Sequence, residues 1–546
     1  MLTPYPILNS KVSTTVDHIL KENLDLHRVI KSLADSGGKP FLVGGTVRDI
    51  LLDKSPEDFD IEVYELSLKQ VQESLEAINA KKDQVGKKFA VFKIGTSIDI
   101  SLPRQEMNVG EKHTDFDIIE NPYLDTETAT RRRDLTINAI LYSFDEKQLV
   151  DHFEGIPDLK NKVLRYVDKH TFIEDPLRVY RIAQFAARFG FTIEGDTREL
   201  ATLIDLNSLP MERINHEFQK MLLKSDKPSI GLQALDDMQV LDRYFPEIAI
   251  LKTTPQRSDY HAEGNVFLHT QMVLDKAATI IKRFDNETDK IIIMLAALAH
   301  DLGKPLTTEI KIDGCISQHG HEKAGIEPAR KFLAKLTNET NIIDNVLFLV
   351  AYHLTPATWY RAKPPDKSFV KFINKHGIKK LELLSALSEA DMTGRIHREE
   401  SGTLINNPTE EPARWFWAQV QRIAKERGTY QEKIAPLIKG QDLLDIGFAE
   451  GKLIGEILKD VVTLQEDDQL QTKEEALIYV KKKYADRIMA DLSNFIDKHL
   501  YEESSSKVVK KPAQAKLKQT PLQEQAPLGA REGQKPEITS GYGSYT

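Results

Sequence analysis

The chain changes its hydrophobic rhythm twice. Residues 13–36 place apolar side chains at helical spacing and stop at Gly37-Gly38, which predicts an opening helix with a glycine end. From there to about residue 151, short apolar runs alternate with polar ones. This predicts strands over 40–44, 58–63, 88–95, 97–102 and near 147–151, with helices over about 66–79 and 129–142. The polar stretch 104–128 has little periodicity and reads as a loop. From about residue 172 the period is helical almost throughout. Segment 176–189 opens on Pro176 and stops at Gly190, and 265–300 carries two more strong helices. Residues 396–412 read as a linker and 413–500 as helical again. Residues 503–546 are rich in Lys, Gln, Pro, Ser and Gly, which predicts a disordered tail. The expected fold class is α+β, a small mixed α/β head followed by mostly α-helical domains.

Composition changes this picture little. At 546 residues the chain is too long for one core, so several domains are expected. The net charge of −9 argues against bulk nucleic-acid binding and leaves any RNA contact to local basic patches. Cys315 is the only cysteine, which rules out an intrachain disulfide and fits a reducing compartment. No apolar run approaches the ~20 residues that span a bilayer. The segment from Met1 lacks a signal-peptide pattern, so no membrane association and a cytoplasmic location are expected.

Candidate chemistry begins at Gly44-Gly45 and Asp58-Phe59-Asp60. On a strand, Asp58 and Asp60 share one face while Phe59 and Ile61 take the other. Two carboxylates so placed can share Mg²⁺. The diglycine lets backbone N–H groups approach phosphates at the start of a helix near Thr46, with Arg48 one turn on. Asp99, between Ile98 and Ile100, is a candidate third carboxylate or an exposed strand residue. In the expected helix 129–142, Asp134 and Asn138 are one turn apart and suited to ribose hydroxyls, with Arg133 for phosphates. Asp175 and Arg178 lie side by side on the next helix. A carboxylate accepts from an amino group and a guanidinium donates to a ring nitrogen. Cytosine and adenine both offer that pairing, whereas guanine and uracil offer the reverse. One Asp/Arg pair can therefore accept CTP and ATP and reject GTP and UTP.

A second constellation is helical. His269, the pair His300-Asp301 at the end of an apolar run, and Asp391 are spread over the 251–395 region. Imidazole with carboxylate suits Mn, Fe, Co, Ni or Zn, or Mg²⁺ with waters, and such an ion activates water against a phosphoester. His319, His321 and His353 are open as further ligands, phosphate binders or ordinary residues, and one metal or two is undecided.

These motifs, in this order, resemble the bacterial class II CCA-adding tRNA nucleotidyltransferases and the related poly(A) polymerases. The first motif matches Leu42–Asp49 with Asp58 and Asp60; the second matches Arg132-Arg133-Asp134 with Asn138. A loop motif matches Asp151, Gly155, Asp158 and Leu159, ending at Arg165. The base-templating motif matches Glu174-Asp175-x-x-Arg178, with Arg181 one turn on. One departure is Leu135, where the family usually has phenylalanine. His269, His300, Asp301 and Asp391 resemble the ligand set of an HD phosphohydrolase domain. The resemblance implies a polymerase-beta-like head with metal-bound Asp58 and Asp60 as its catalytic residues. It also implies a nucleotide-binding set of Gly44, Gly45, Arg48, Arg133, Asp134, Asn138, Asp175, Arg178 and Arg181. Substrates would be tRNA, CTP and ATP, with phosphatase and 2′,3′-cyclic phosphodiesterase activity at the HD site.

The implied layout is a head over 1–165, a neck over 166–250, an HD domain over 251–395, a body and tail over 396–502, and the disordered tail beyond. Leu437–Gly451 and Leu453–Leu458 resemble a closing segment assigned to packing and tRNA contact. Trp415, Phe416 and Trp417 read as a buried helix face rather than a base-stacking platform. Three alternatives stay open: a poly(A) polymerase or an enzyme adding only CC or only A; a metal phosphohydrolase with an RNA-binding head; and a non-enzymatic RNA chaperone. Whether the chain forms a homodimer is not legible.

Overall fold

The computed structural model describes residues 5–80, 82–85, 91–108, 116–398, 401–406, 409–426, 436–466 and 469–487. The expected disordered tail 503–546 and part of the expected strand 88–95 lie outside them. Two compact units divide the chain, Met1–Ala435 and Pro436–Thr546.

The first unit opens with two helices, α1 (Pro6–Glu22) and α2 (Leu24–Asp35), in place of the single expected one. Asn23 makes the break, because its side chain accepts from Leu26 N at 2.9 Å and so restarts the helix. A seven-stranded sheet comes next, built from β1 (Lys39–Val43), β2 (Phe59–Tyr64), β3 (Lys82–Val85), β4 (Val91–Ile94), β5 (Ile98–Ser101), β8 (Leu141–Ser143) and β9 (Gln148–Val150). Its order is β3-β4-β5-β2-β1-β8-β9. Among the described strands of this sheet only β2 and β5 pair in parallel, and that register sets Asp60 opposite Asp99. Ile61, Ile98 and Ile100 point into the head core with Leu42, Val47 and Tyr142. The short helix α3 (Gly45–Leu51) and helix α4 (Leu68–Ala77) complete the head's early elements.

Two expectations fail here. The stretch 104–128 is not a loop. It contains β6 (Arg104–Asn108) paired antiparallel with β7 (Phe116–Glu120), then helix α5 (Thr126–Arg131). A two-stranded ladder is held by backbone bonds that a polar sequence does not advertise. The expected helix 129–142 also breaks up. After α5 come a 3-10 turn, Thr136–Asn138, and then β8. Asp134 accepts from the next backbone N–H, Leu135 N, at 2.8 Å, which competes with helix formation, and β-branched Thr136 and Ile137 weaken it further.

Helix α6 (Gly155–Asn161) ties the head to the helical region beyond it. Asp151 accepts from the backbone N–H of Gly155 at 2.9 Å and of Ile156 at 2.8 Å. A Cβ at Gly155 would lie 2.2 Å from the Thr136 carbonyl oxygen, so only glycine fits there. Asp158 accepts from Thr136 Oγ1 at 2.7 Å and from Arg165 Nε at 3.1 Å.

Helix α7 (Lys169–Glu174) leads into α8 (Leu177–Phe189), which ends at Gly190 with φ +67°. Helices Val266–Ile280 and Glu287–Ala299 appear as expected, N-capped by Asn265 and Asn286. One hydrophobic core runs without a break from Leu135 through α8 and these helices to Ile423. The stretch 396–412 holds a small hairpin, Ile396–Arg398 with Leu404–Asn406, rather than a bare linker. Phe416 is fully buried on helix Glu411–Glu426, with Trp415 and Trp417 packed against the same core. The second unit has its own small core around Ile438, Leu443, Ile457 and Val480.

Candidate functional sites

Strand β2 carries the first site. Asp58 is exposed at its entry, Asp60 half-buried, and Glu62 fully buried on the same face. Thr46 fixes the entry: its hydroxyl donates to the Asp58 carbonyl at 3.1 Å and accepts from Asp60 N at 3.0 Å. Burial pushes the Asp60 carboxyl up from its ordinary value; Asp99 and Asp58 add to this while Arg133 opposes it. Asp99 itself is paired with Lys93 at 2.7 Å. Asp58 and Asp60 form a carboxylate donor set that a divalent cation fits.

Around this cluster the cationic side chains are held firmly. Glu62 accepts from Tyr64 Oη at 2.7 Å and Arg132 at 2.9 Å, and lies 3.7 Å from Arg133. Gly44 has φ +62°, and a Cβ there would meet the Arg133 guanidinium at 2.8 Å. Arg48 is buried: it donates to Asn138 Oδ1 at 2.7 Å and Asp49 Oδ1 at 2.9 Å and lies over the rings of Phe185 and Phe189. Asn138 in turn donates to Asp134 Oδ1 at 2.9 Å, and Arg181 donates to Asp134 Oδ2 at 2.7 Å. Asp134 and Asn138 thus meet as expected, across a 3-10 turn rather than along a helix. Burial alone would raise the Asp134 carboxyl, but Arg181, Asn138 and Arg178 together lower it to about 2.

A cavity of about 700 Å³ joins these groups. Gly44, Gly45, Arg48, Asp58, Asp60, Arg133, Asp134, Asn138 and Arg181 all line it. Asp175 and Arg178 do not. Asp175 accepts from Leu177 N at 3.1 Å and pairs with Arg213 at 3.0 Å. The Arg178 guanidinium donates to the Thr171 and Arg132 carbonyls. Sequence reasoning missed Thr46, Glu62, Arg188, Lys220 and Lys224. The last three add positive charge to the cavity wall. Glu62 continues the alternation of Asp58 and Asp60, and Arg188 lies seven residues after Arg181 on α8, so both were within reach of periodicity.

The second site sits in the helical region. His269, His300, Asp301 and Asp391 do come together: His269 Nε2 lies 3.2 Å from Asp391 Oδ1, 3.4 Å from His300 Nε2 and 3.6 Å from Asp301 Oδ2. His321 and His353 join them, whereas His319 is exposed outside the cluster. Glu263 lies 2.9 Å from His261 Nδ1 and 3.1 Å from His269 Nδ1, the latter off the ideal hydrogen-bond line. Lys304 Nζ lies 2.7 Å from Asp301 Oδ2 and donates to Gln256 at 2.6 Å. Burial would raise the Asp301 and Asp391 carboxyls. His300 and Lys304 at the first, and Arg395 and His269 at the second, instead hold both well below the usual carboxylate range. Asp301 Oδ2 is buried between Lys304 Nζ at 2.7 Å and His300 Nε2 at 3.2 Å.

Similar proteins place these sites in context. Residues 40–165 match the family described as Poly A polymerase head domain, 190–251 a probable RNA and SrmB-binding site of polymerase A, and 266–391 the HD domain. The multifunctional CCA protein of Pasteurella multocida (strain Pm70) is 33% identical over 429 residues, which cover 77% of this chain and 94% of the relative. That of Mannheimia succiniciproducens is 35% identical over 373 residues, 66% of this chain and 85% of the relative. Two solved structures share the fold. An apo form of a CCA-adding enzyme has a TM-score of 0.55 at 20% identity, covering 85% of this chain and 98% of that one. The Bacillus stearothermophilus CCA-adding enzyme in complex with CTP has a TM-score of 0.54 at 17% identity, covering 87% and 97%.

Proposed function

We propose, from the premise that this chain belongs to the family of the multifunctional CCA proteins, that it adds C, C and A to tRNA 3′ ends from CTP and ATP. The observation that carries this reading is the single cavity in which Asp58 and Asp60 face Arg133, Asn138 and Arg181. Asp58 and Asp60 would hold Mg²⁺, which when bound lowers the pKa of the attacking 3′-hydroxyl and neutralises the triphosphate. Gly44 and Gly45 let the Arg133 and Arg48 guanidiniums lie close to the backbone, where they would meet phosphate oxygens. Arg133 and Arg48 orient charge, and Asp134 with Asn138 sets the sugar. Asp175 and Arg178 select the base. To do so Asp175 must leave Arg213, and Arg178 must leave the two carbonyls it now holds.

The test is direct. Purified protein is given tRNA lacking its 3′ CCA, with CTP, ATP, GTP or UTP. Stepwise addition of C, C and A is expected, with GTP and UTP unused. Long A tails without C incorporation would overturn the reading in favour of a poly(A) polymerase.

The histidine cluster supports a second activity, hydrolysis of phosphomonoesters and 2′,3′-cyclic phosphodiesters. Its nitrogen-rich donor set favours Ni, Mn, Co or Fe over Mg²⁺. We assign the head to 1–165, the neck to 166–250, the hydrolase to 251–395 and tRNA contact to 396–502. Among the described residues no helix is long and apolar enough to cross a membrane; tRNA and free nucleotides as substrates support a cytoplasmic reaction.

A further inference from the structure

We infer that a second, smaller cavity beyond Asp60 seats the last nucleotide of the acceptor RNA, with Arg104 and Lys93 holding the phosphate on its 5′ side. This rests on the nucleotide-addition reading of the neighbouring cavity, which places the incoming triphosphate but not the strand that it extends. The smaller cavity measures about 230 Å³, against about 700 Å³ for the nucleotide cavity. Asp60, Asp99, Ser101, Arg104, Arg132 and Arg133 line it. Asp60 and Arg133 line both cavities, so the two spaces meet at a reacting carboxylate.

Strand order is the first argument. β1 and β5 flank β2 on opposite sides. β1 runs into Gly44-Gly45 and α3, the flank that the addition reading gives to the triphosphate. β5 carries Asp99 opposite Asp60, and β4 beyond it carries Lys93 opposite Asp99. Neighbouring strands lie about 4.8 Å apart, so Lys93 stands two strands, or roughly 10 Å, from Asp60. In phosphoryl transfer the attacking and leaving oxygens lie roughly in line across the reacting phosphorus. A diphosphate that leaves over β1 therefore requires a hydroxyl that arrives over β5. The nucleotide bearing that hydroxyl then lies in the smaller cavity.

Charge is the second argument. A nucleotide already joined to a strand brings one phosphate anion on its 5′ side, and a wall of Asp60 and Asp99 alone would repel it. Arg104, the first residue of β6, supplies a cation to that wall. A guanidinium presents parallel N–H donors that match two phosphate oxygens. Arg132 and Arg133 share the buried carboxylate of Glu62, at 2.9 and 3.7 Å, so part of their charge is already balanced. Lys93 does not line the cavity but donates to both oxygens of Asp99, which does, at 2.8 and 2.7 Å. An ammonium has three donors, so one is left for a phosphate oxygen. The Lys93 and Asp99 side chains are 46% and 38% exposed, and a pair so solvated rearranges at little cost.

The test pairs a change in the protein with a change in the RNA. The full chain is given an acceptor-stem RNA lacking CCA, with its last internucleotide linkage either natural or a neutral methylphosphonate, and CTP incorporation is followed in a single turnover. The neutral linkage should slow the wild type roughly 2- to 150-fold, the range expected of two groups in contact. Arg104→Ala should be slowed on natural RNA and no slower on neutral RNA, while its affinity for CTP, measured by equilibrium dialysis, stays at the wild-type value. If Arg104→Ala fails to fold, Lys93→Ala takes its place in the same cycle. Penalties that multiply, or a wild type indifferent to the neutral linkage, overturn the acceptor seat and leave the addition reading standing. No CTP incorporation by the wild type on natural RNA overturns both. The wild-type comparison decides whether or not either variant folds.

Discussion

Arg181 donates its Nε to Asp134 Oδ2 at 2.7 Å, and this contact joins helix α8 to the turn that ends in Asn138. The link continues from Asn138 to Arg48 and Asp49 on α3. Phe185 lies within 5.3 Å of Arg48 and 5.2 Å of Arg181, so one ring supports both guanidiniums. The wall of the cavity is therefore a relay of charges running from α3 to α8.

Removing one end of that relay should cost more than a surface ion pair would. Asp134 is buried, so Arg181→Ala leaves a carboxylate without its main partner, and such breaks cost about 3–5 kcal/mol. Asp134 titrates at about 2 when folded, below its ordinary value. Its contribution is complete above the unfolded value near ~4 and is lost as pH falls toward about 2. Denaturant midpoints of wild type and Arg181→Ala should differ widely at pH 7 and converge below about pH 4. A gap that stays constant with pH would show that Arg181 acts by packing alone.

The Asp58-x-Asp60 pair, the diglycine and the helix 177–189 are legible because each depends on local spacing. The Asp134–Asn138 contact is legible for the wrong reason, since four-residue spacing suggests a helix and the two groups meet across a tight turn. β8 is hidden because Ile140-Leu141-Tyr142 is an apolar run that suits helix and strand equally. Arg48 looks like a free phosphate binder in sequence, and only the fold buries it over Phe185 and Phe189. Arg213 reaches Asp175 from 38 residues away, a partnership no local pattern records. The same holds for Lys220 and Lys224 on the cavity wall.

The two activities should separate cleanly. Asp60→Ala should abolish CTP and ATP incorporation and leave hydrolysis of a 2′,3′-cyclic phosphodiester intact, and Asp301→Ala should do the reverse. Parallel assays on one preparation check this. Incorporation by Asp60→Ala at the wild-type rate would remove Asp60 from the metal site.

Gly44→Ala should impair nucleotide addition without unfolding the chain. Its φ of +62° disfavours any L side chain, and the new Cβ would press on the Arg133 guanidinium at 2.8 Å. A displacement of about 1 Å in a positioning group can cost roughly 10²-fold. Steady-state kinetics should show a fall in kcat/KM for both CTP and ATP, with the melting temperature shifted by only a few degrees.

Arg178→Ala should relax base choice. One bidentate base contact discriminates by about 1–3 kcal/mol, or roughly 5- to 150-fold. Incorporation of UTP and GTP relative to CTP and ATP should rise by that order. Equal loss of all four would assign Arg178 to its present bonds with Thr171 and Arg132 instead.

Glu263 should set the affinity of the histidine cluster from behind. Its carboxylate lies between His261 Nδ1 and His269 Nδ1 and accepts from Ile396 N at 3.0 Å. Burial would raise it, but the two histidines outweigh that and hold it far below the usual carboxylate range, so it stays ionised at working pH. An anion at Nδ1 keeps the proton there and makes Nε2 of His269 a stronger donor. Glu263→Gln preserves the shape and the bond to Ile396 and removes the charge. Metal affinity, measured by competition with a chelator of known strength, should fall roughly 10- to 100-fold. Nucleotide addition at the head should be unchanged, which reports that the chain is folded. Undiminished affinity in Glu263→Gln would mean that the carboxylate only fills space behind His269.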